Sequence, residues 1–100
     1  MLIAIVEFEV AKENRSAAMA QLLAEAASVH AMAGNASFCT YADPSNETSV
    51  LILHRWNSKE DFQNYLSSNA FTRSSEIIRP LMTAVPLSQR YEARLIESVA

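Results

Sequence analysis

The sequence predicts an α+β domain of order βαββαβ, the ferredoxin-like arrangement, with a four-stranded antiparallel sheet and helices on one face. Three observations predict it. Short apolar segments with a two-residue period alternate with segments of helical period. Turn-forming residues fall between them. Two of the apolar segments, Leu2–Val6 and Val50–Leu53, are apolar on both parities, as the central strands of such a sheet must be. One hundred residues hold a single core, so one domain is expected over 1–100.

The first strand is read over Leu2 to Val10, where Glu7 and Glu9 alternate with Phe8 and Val10, so one face reaches water near that end. A helix is predicted from about Asn14 to Met32, with Met19, Leu22, Leu23, Ala26, Val29 and Met32 as its apolar stripe. Gly34, the only glycine, falls just past it, where a left-handed closing residue is wanted. Two strands follow, Ala36 to Ala42 and Thr48 to Trp56, joined by the hairpin-turn run Asp43-Pro44-Ser45-Asn46-Glu47. A helix from about Ser58 to Ser67 carries a capping box at Ser58 and Asp61. A second helical piece runs from about Ala70 to Met82, with Phe71, Ile77, Ile78, Leu81 and Met82 as its buried set, and Pro80 kinks or ends it. The last strand is read over Leu87 to Ile96.

Composition narrows the function classes. Hydrophobic residues make up 50% and charged residues 19%, which is globular composition. The net charge of −3 and the scattered Lys and Arg argue against a nucleic-acid partner. No apolar run approaches the roughly 20 residues that span a bilayer, and no secretory leader is visible, so no membrane association is expected. A single cysteine, Cys39, cannot form an internal disulfide and fits a cytoplasmic location. It reads as a small buried hydrophobe. Two isolated histidines, His30 and His54, give no metal-ligand spacing, and one glycine makes no nucleotide loop. No cofactor or metal is expected.

Helices cover only one face of the predicted sheet, yet both central strands are apolar on both faces. A second copy is the simplest cover, so a homodimer is expected.

The chemistry-bearing residues concentrate in Val50–Phe71. There an apolar strand ends in His54-Arg55-Trp56, a helix starts at Asn57-Ser58, and Phe62, Tyr65-Leu66 and Asn69-Ala70-Phe71 come after it. With the opening VEFEVAKEN, this pattern resembles the antibiotic biosynthesis monooxygenase family, and the resemblance extends over essentially the whole chain. It implies a dimeric α+β barrel, and a cofactor-independent monooxygenase that oxidises a small aromatic or quinol-like substrate with O2. A non-catalytic small-ligand-binding dimeric module, or an isomerase or cyclase using the same pocket, is the alternative. Haem-degrading members of the family carry Asn, Trp and His where this chain has Val6, Tyr65 and Ser75, so the resemblance does not imply haem degradation.

Cofactor-free oxygenation needs a dry pocket, a base for the substrate proton, and donors for the resulting anion. The expected catalytic residues are His54 as base, with Trp56 and Tyr65 as donors. Phe62 and Phe71 are expected in the wall of a pocket for a small aromatic or quinone-like ligand. Arg73 is expected to stabilise a quinolate.

Overall fold

The structure, a computed structural model, describes residues 1–100. Strand β1 (Leu2–Glu9) leads through a 3₁₀ turn (Lys12–Asn14) into helix α1 (Arg15–His30). Strands β2 (Asn35–Ala42) and β3 (Ser49–Trp56) form a hairpin, and helices α2 (Lys59–Leu66) and α3 (Asn69–Ile78) come next. A second 3₁₀ turn (Arg79–Leu81) precedes strand β4 (Leu87–Glu92). All neighbours in the sheet are antiparallel and the strand order is β2-β3-β1-β4. The four-stranded antiparallel α+β arrangement is therefore as the sequence predicts, with β1 and β3 central.

The pleat divides the sheet into two faces with different chemistry. Register pairs Ala4 with His54, Val6 with Ile52 and Phe8 with Val50, and these residues face the helices together with Trp56 and Phe38. On the opposite face Ile5 lies between Leu53 and Gln89, Ile3 between Arg55 and Tyr91, and Glu7 between Leu51 and Leu87. The helix-facing set is buried apart from half-buried Val6. Ile3, Ile5, Leu51 and Leu53 are only half-buried, and Tyr41, Leu87 and Tyr91 are exposed.

Helix α1 buries Ala18, Leu22, Glu25 and Val29, a stripe at spacings of four, three and four. That stripe is rotated from the expected one. Leu23 is 66% exposed and the buried line passes through Glu25 instead. Helix α3 buries Ala70, Ser74 and Ile78, which leaves Ile77 exposed rather than in the core. It ends just before Pro80, which has no N–H for an i→i−4 bond and whose ring would clash with the carbonyl four residues back, and the chain goes on as a 3₁₀ turn. Ser58 caps α2, accepting from the Asp61 N–H at 3.1 Å and donating its hydroxyl to the Asp61 carboxylate at 2.9 Å. Arg15 ties α1 to the β2–β3 turn, donating to the Asn46 carbonyl at 2.6 Å.

Two further expectations are corrected. β4 ends at Glu92, and the residues after it have no regular structure. Pairing with β1 stops at the bond from the Ala93 N–H to the Met1 carbonyl, 2.7 Å, and a strand without a partner does not persist. Leu95, Ile96 and Val99 beyond it are exposed, so this segment does not cover the open sheet face. Cys39 is exposed because the pleat puts it on that open face beside Leu53, while its neighbour Phe38 turns inward. No helix is long and apolar enough to cross a membrane.

Gly34 has φ +79°, and its carbonyl accepts from the Asn57 N–H at 2.8 Å, joining the end of α1 to the start of α2. A Cβ there would collide with the Asp61 side chain. Gly34→Ala therefore adds the left-handed penalty of about 1–2 kcal/mol to a disturbed Ser58–Asp61 cap. A loss of about 2–3 kcal/mol in urea unfolding is the expected result.

Candidate functional site

The helices lie over β2 and β3, whereas β4 packs mainly against its neighbour β1. A cavity of about 150 Å³ is left between the inner face of the sheet and α1, α2 and α3. Its floor is Val6, Phe8, Ile52 and His54 from the sheet. Leu22 and Glu25 of α1 and Phe62, Tyr65 and Leu66 of α2 line its helix side. Phe71, Ser74 and Ile78 of α3 complete that side, and Arg79, Ser88 and Arg90 stand at the exposed mouth. Apolar cavities of roughly this volume accept one aromatic ring.

His54 occupies the centre of an aromatic cage. Its ring centroid lies 5.3 Å from Phe38, 5.5 Å from Tyr65, 5.6 Å from Phe62 and 6.2 Å from Trp56. The indole Nε1–H of Trp56 donates to His54 Nδ1 at 2.9 Å. An indole N–H can only donate, so Nδ1 carries the lone pair and the neutral ring keeps its proton on Nε2. No protein group pairs with Nε2, and no fully occluded polar side-chain atom lacks a partner, so Nε2 faces the cavity that His54 lines. Burial among the rings, with the Arg90 guanidinium adding to it, pulls the imidazole down to about pKa 4. His54 is thus a neutral donor toward the cavity at pH 7. The base expected from the sequence would need a free lone pair, which Trp56 occupies.

Trp56 itself is fully buried behind His54, stacked on Tyr65 with centroids 5.3 Å apart, and is not part of the cavity wall. Tyr65 does line the cavity, and its hydroxyl donates to Glu25 Oε2 at 2.7 Å. Burial pushes the Tyr65 phenol far above its usual range, with the Glu25 charge and hydrogen bond reinforcing it. Phe62 and Phe71 stand in the wall. Arg73 does not: it is exposed on α3 and away from the cavity. The cavity's cations are Arg79 and Arg90, the latter 5.0 Å from the Phe62 ring centroid.

Glu25 is the residue that reading the sequence missed. It is 5% exposed and sits beside Tyr65 and Ser74. Desolvation raises its carboxyl above the usual value, and the two hydroxyls partly offset that. The Ser74 hydroxyl accepts from Gln21 Nε2 at 3.2 Å, which leaves its own proton free to turn toward the carboxylate. A signal existed in the spacing, since Glu25 lies three residues after Leu22 and four before Val29. No three His, Cys, Asp or Glu side chains converge anywhere in the chain.

These shifts act on stability in opposite directions. The His54 ring stays neutral in the fold but protonates below pH 6.5 when unfolded. Its contribution is complete above pH 6.5 and is lost as pH falls from there to about 4. A depression of this size corresponds to about 3 kcal/mol. Folding raises the Glu25 carboxyl, so the cost of burying its charged form is relieved as pH falls. His54→Gln should remove most of the histidine's share. The wild-type stability loss between pH 7 and 4.5, followed by urea unfolding, should exceed that of the variant by about 2–3 kcal/mol.

The fold recurs in known proteins. The family model described as antibiotic biosynthesis monooxygenase matches residues 1–76. A Deinococcus radiodurans protein provisionally described as an antibiotic biosynthesis monooxygenase superposes with TM-score 0.90 at 18% identity, over 100% of this chain and 99% of that one. One from Nitrosomonas europaea, provisionally described in the same way, gives 0.88 at 13% identity, over 93% of this chain and 98% of that one. A Mycobacterium tuberculosis protein gives 0.85 at 20% identity, over 98% of each chain. No curated protein matches by sequence. Identities this low establish the shared fold alone, and it is the family model, covering three quarters of the chain, that decides membership. The chain belongs to the antibiotic biosynthesis monooxygenase family.

Proposed function

We propose that this chain is a cofactor-independent monooxygenase that acts as a homodimer on a small phenolic or quinol-like molecule. The observation that carries the reading is the one-ring cavity lined by aromatic and aliphatic side chains, whose polar lining includes Glu25, the His54 Nε2–H and the guanidiniums at the mouth. Larger substituents of a substrate would extend past Arg90 into solvent.

Loss of the phenolic proton gives an electron-rich anion. That anion passes one electron to O2, and the radical pair joins at a ring carbon to form a peroxide. Loss of the proton on that carbon and cleavage of the O–O bond leave a carbonyl on the ring and release water. One phenol and one O2 thus give one quinone and one water, so the electrons balance without a bound redox group. The protein's part is to exclude water, remove the proton and hold the anion.

The homodimer is supported by the open sheet face. Half of the residues are hydrophobic, yet only 17 of 100 are buried, and Ile3, Ile5, Leu51 and Leu53 lie side by side outside the core.

Oxygen consumption with one-ring phenols and hydroquinones tests the activity. One O2 should be taken up per quinone formed, and Tyr65→Phe and His54→Ala should slow uptake by about 10²-fold or more. Rates that do not exceed the uncatalysed background across the panel would overturn the reading.

A further inference from the structure

The proposed chemistry requires a proton acceptor, and the cavity decides which group it is. His54 is committed as a donor, because its Nδ1 lone pair holds the Trp56 N–H and its proton sits on Nε2. Tyr65 donates to Glu25. Ser74, Ser75 and Ser88 are neutral hydroxyls, and Arg79 and Arg90 are permanent cations. Glu25 is the only carboxylate in the wall and so the one group there with a free basic oxygen for a proton. The Tyr65 hydroxyl, donating at 2.7 Å, fixes the orientation of that carboxyl.

The two polar sides of the cavity also differ in kind. The α1 side offers an acceptor, Glu25, and the β3 floor offers a donor, the His54 Nε2–H. Arg90 sits at the mouth with its guanidinium over Phe62. A ligand that satisfies all three has an acidic hydroxyl conjugated to a second oxygen or other electron-withdrawing group, and leaves its negative charge between His54 and Arg90.

We propose that Glu25 is the proton acceptor of this cavity, oriented by Tyr65, and that its substrates are one-ring phenols or enols whose anion is held by the His54 Nε2–H and Arg90. The inference rests on the proposed function only for the oxygen chemistry that comes after proton removal. In the step itself the substrate O–H bond breaks, a Glu25 carboxyl O–H bond forms, and the substrate oxygen keeps the electron pair.

The test uses 4-nitrophenol, a one-ring probe whose anion absorbs at longer wavelength than its neutral form, at a pH where the free probe is mostly neutral. Wild-type protein should bind it as the anion. Glu25→Gln preserves shape and still accepts from Tyr65, and should reduce the bound-anion absorbance at least tenfold while binding the neutral probe. Glu25→Asp, which keeps a carboxylate, should retain part of the signal and serves if the glutamine variant does not fold. Equal anion signals in wild type and Glu25→Gln, binding only of the neutral form by wild type, or no binding by wild type would each overturn the proposal. Oxygen uptake separates this from the activity. An intact, Glu25-dependent anion signal without uptake removes the oxygenation and leaves the acceptor. Uptake undiminished in Glu25→Gln removes the acceptor and leaves the oxygenation.

Discussion

Trp56→Ala is expected to lower the thermal midpoint by about 15–30 °C, the largest stability effect of any single side chain here. Trp56 is fully buried and is the largest side chain in that state. Truncating a packed indole costs about 3–5 kcal/mol. A domain of this size has only about 5–15 kcal/mol in total, so much of the stability would go. The change also leaves His54 Nδ1 without its donor inside a ring of aromatic side chains, and a buried unpaired polar atom costs about 1–3 kcal/mol more. Trp56→Phe separates the two contributions. It keeps most of the apolar contact with Tyr65 and loses only the N–H, so it should fall by about 1–2 kcal/mol. Circular dichroism melts of the three proteins check this, and a Trp56→Ala midpoint within a few degrees of wild type would show that the cage does not depend on the indole.

Leu53→Arg is expected to dissociate the proposed dimer while leaving each copy folded. Leu53 projects from the centre of the open face, between Ile5 and Cys39 in neighbouring strands, and touches nothing in the helix-side core. A stable interface of standard size covers about 800 Å² per partner. Apolar burial on that scale contributes roughly 25 cal/mol per Å², enough to exceed the entropy lost on association. A guanidinium placed there would be buried without a partner, at a cost of about 3–5 kcal/mol, or roughly 10²–10⁴-fold in dissociation constant. Sedimentation at micromolar concentration should give twice 11.1 kDa for wild type and 11.1 kDa for Leu53→Arg. An 11.1 kDa wild-type species would remove the dimer.

What the sequence made legible was whatever local chemistry decides. The two-sided apolar character of LIAIV and VLIL places β1 and β3 at the centre of the sheet, and the lone glycine marks the end of α1, because both depend on a few adjacent residues. The length of β4 did not come from its own alternation, because a strand persists only as far as its partner. Leu95 and Ile96 continue the pattern with nothing beside them.

The site was legible by residue type but not by role. His54, Tyr65, Phe62 and Phe71 meet at one cavity, as the corner between β3 and α2 suggests. The hydrogen bond that sets the His54 proton depends on the rotamers of two side chains two residues apart, which spacing alone does not fix. Glu25 stayed hidden because a helical Glu usually faces water, and a stripe drawn through apolar residues alone passes to one side of it. Arg90 stayed hidden because it reaches the cavity from an exposed edge strand, whereas Arg73 points away from it.

The proposed site and the proposed dimer both depend on the pleat sorting the sheet into an inner face that lines the cavity and an outer face left half-exposed. Chemical-shift mapping with a one-ring phenol tests that division directly. Perturbations should concentrate on Glu25, Ile52, His54, Tyr65 and Phe71, with the His54 Nε2–H moving most and Leu53, Tyr41 and Tyr91 silent. A ligand that shifts the outer-face residues and leaves the inner set unchanged would contradict it.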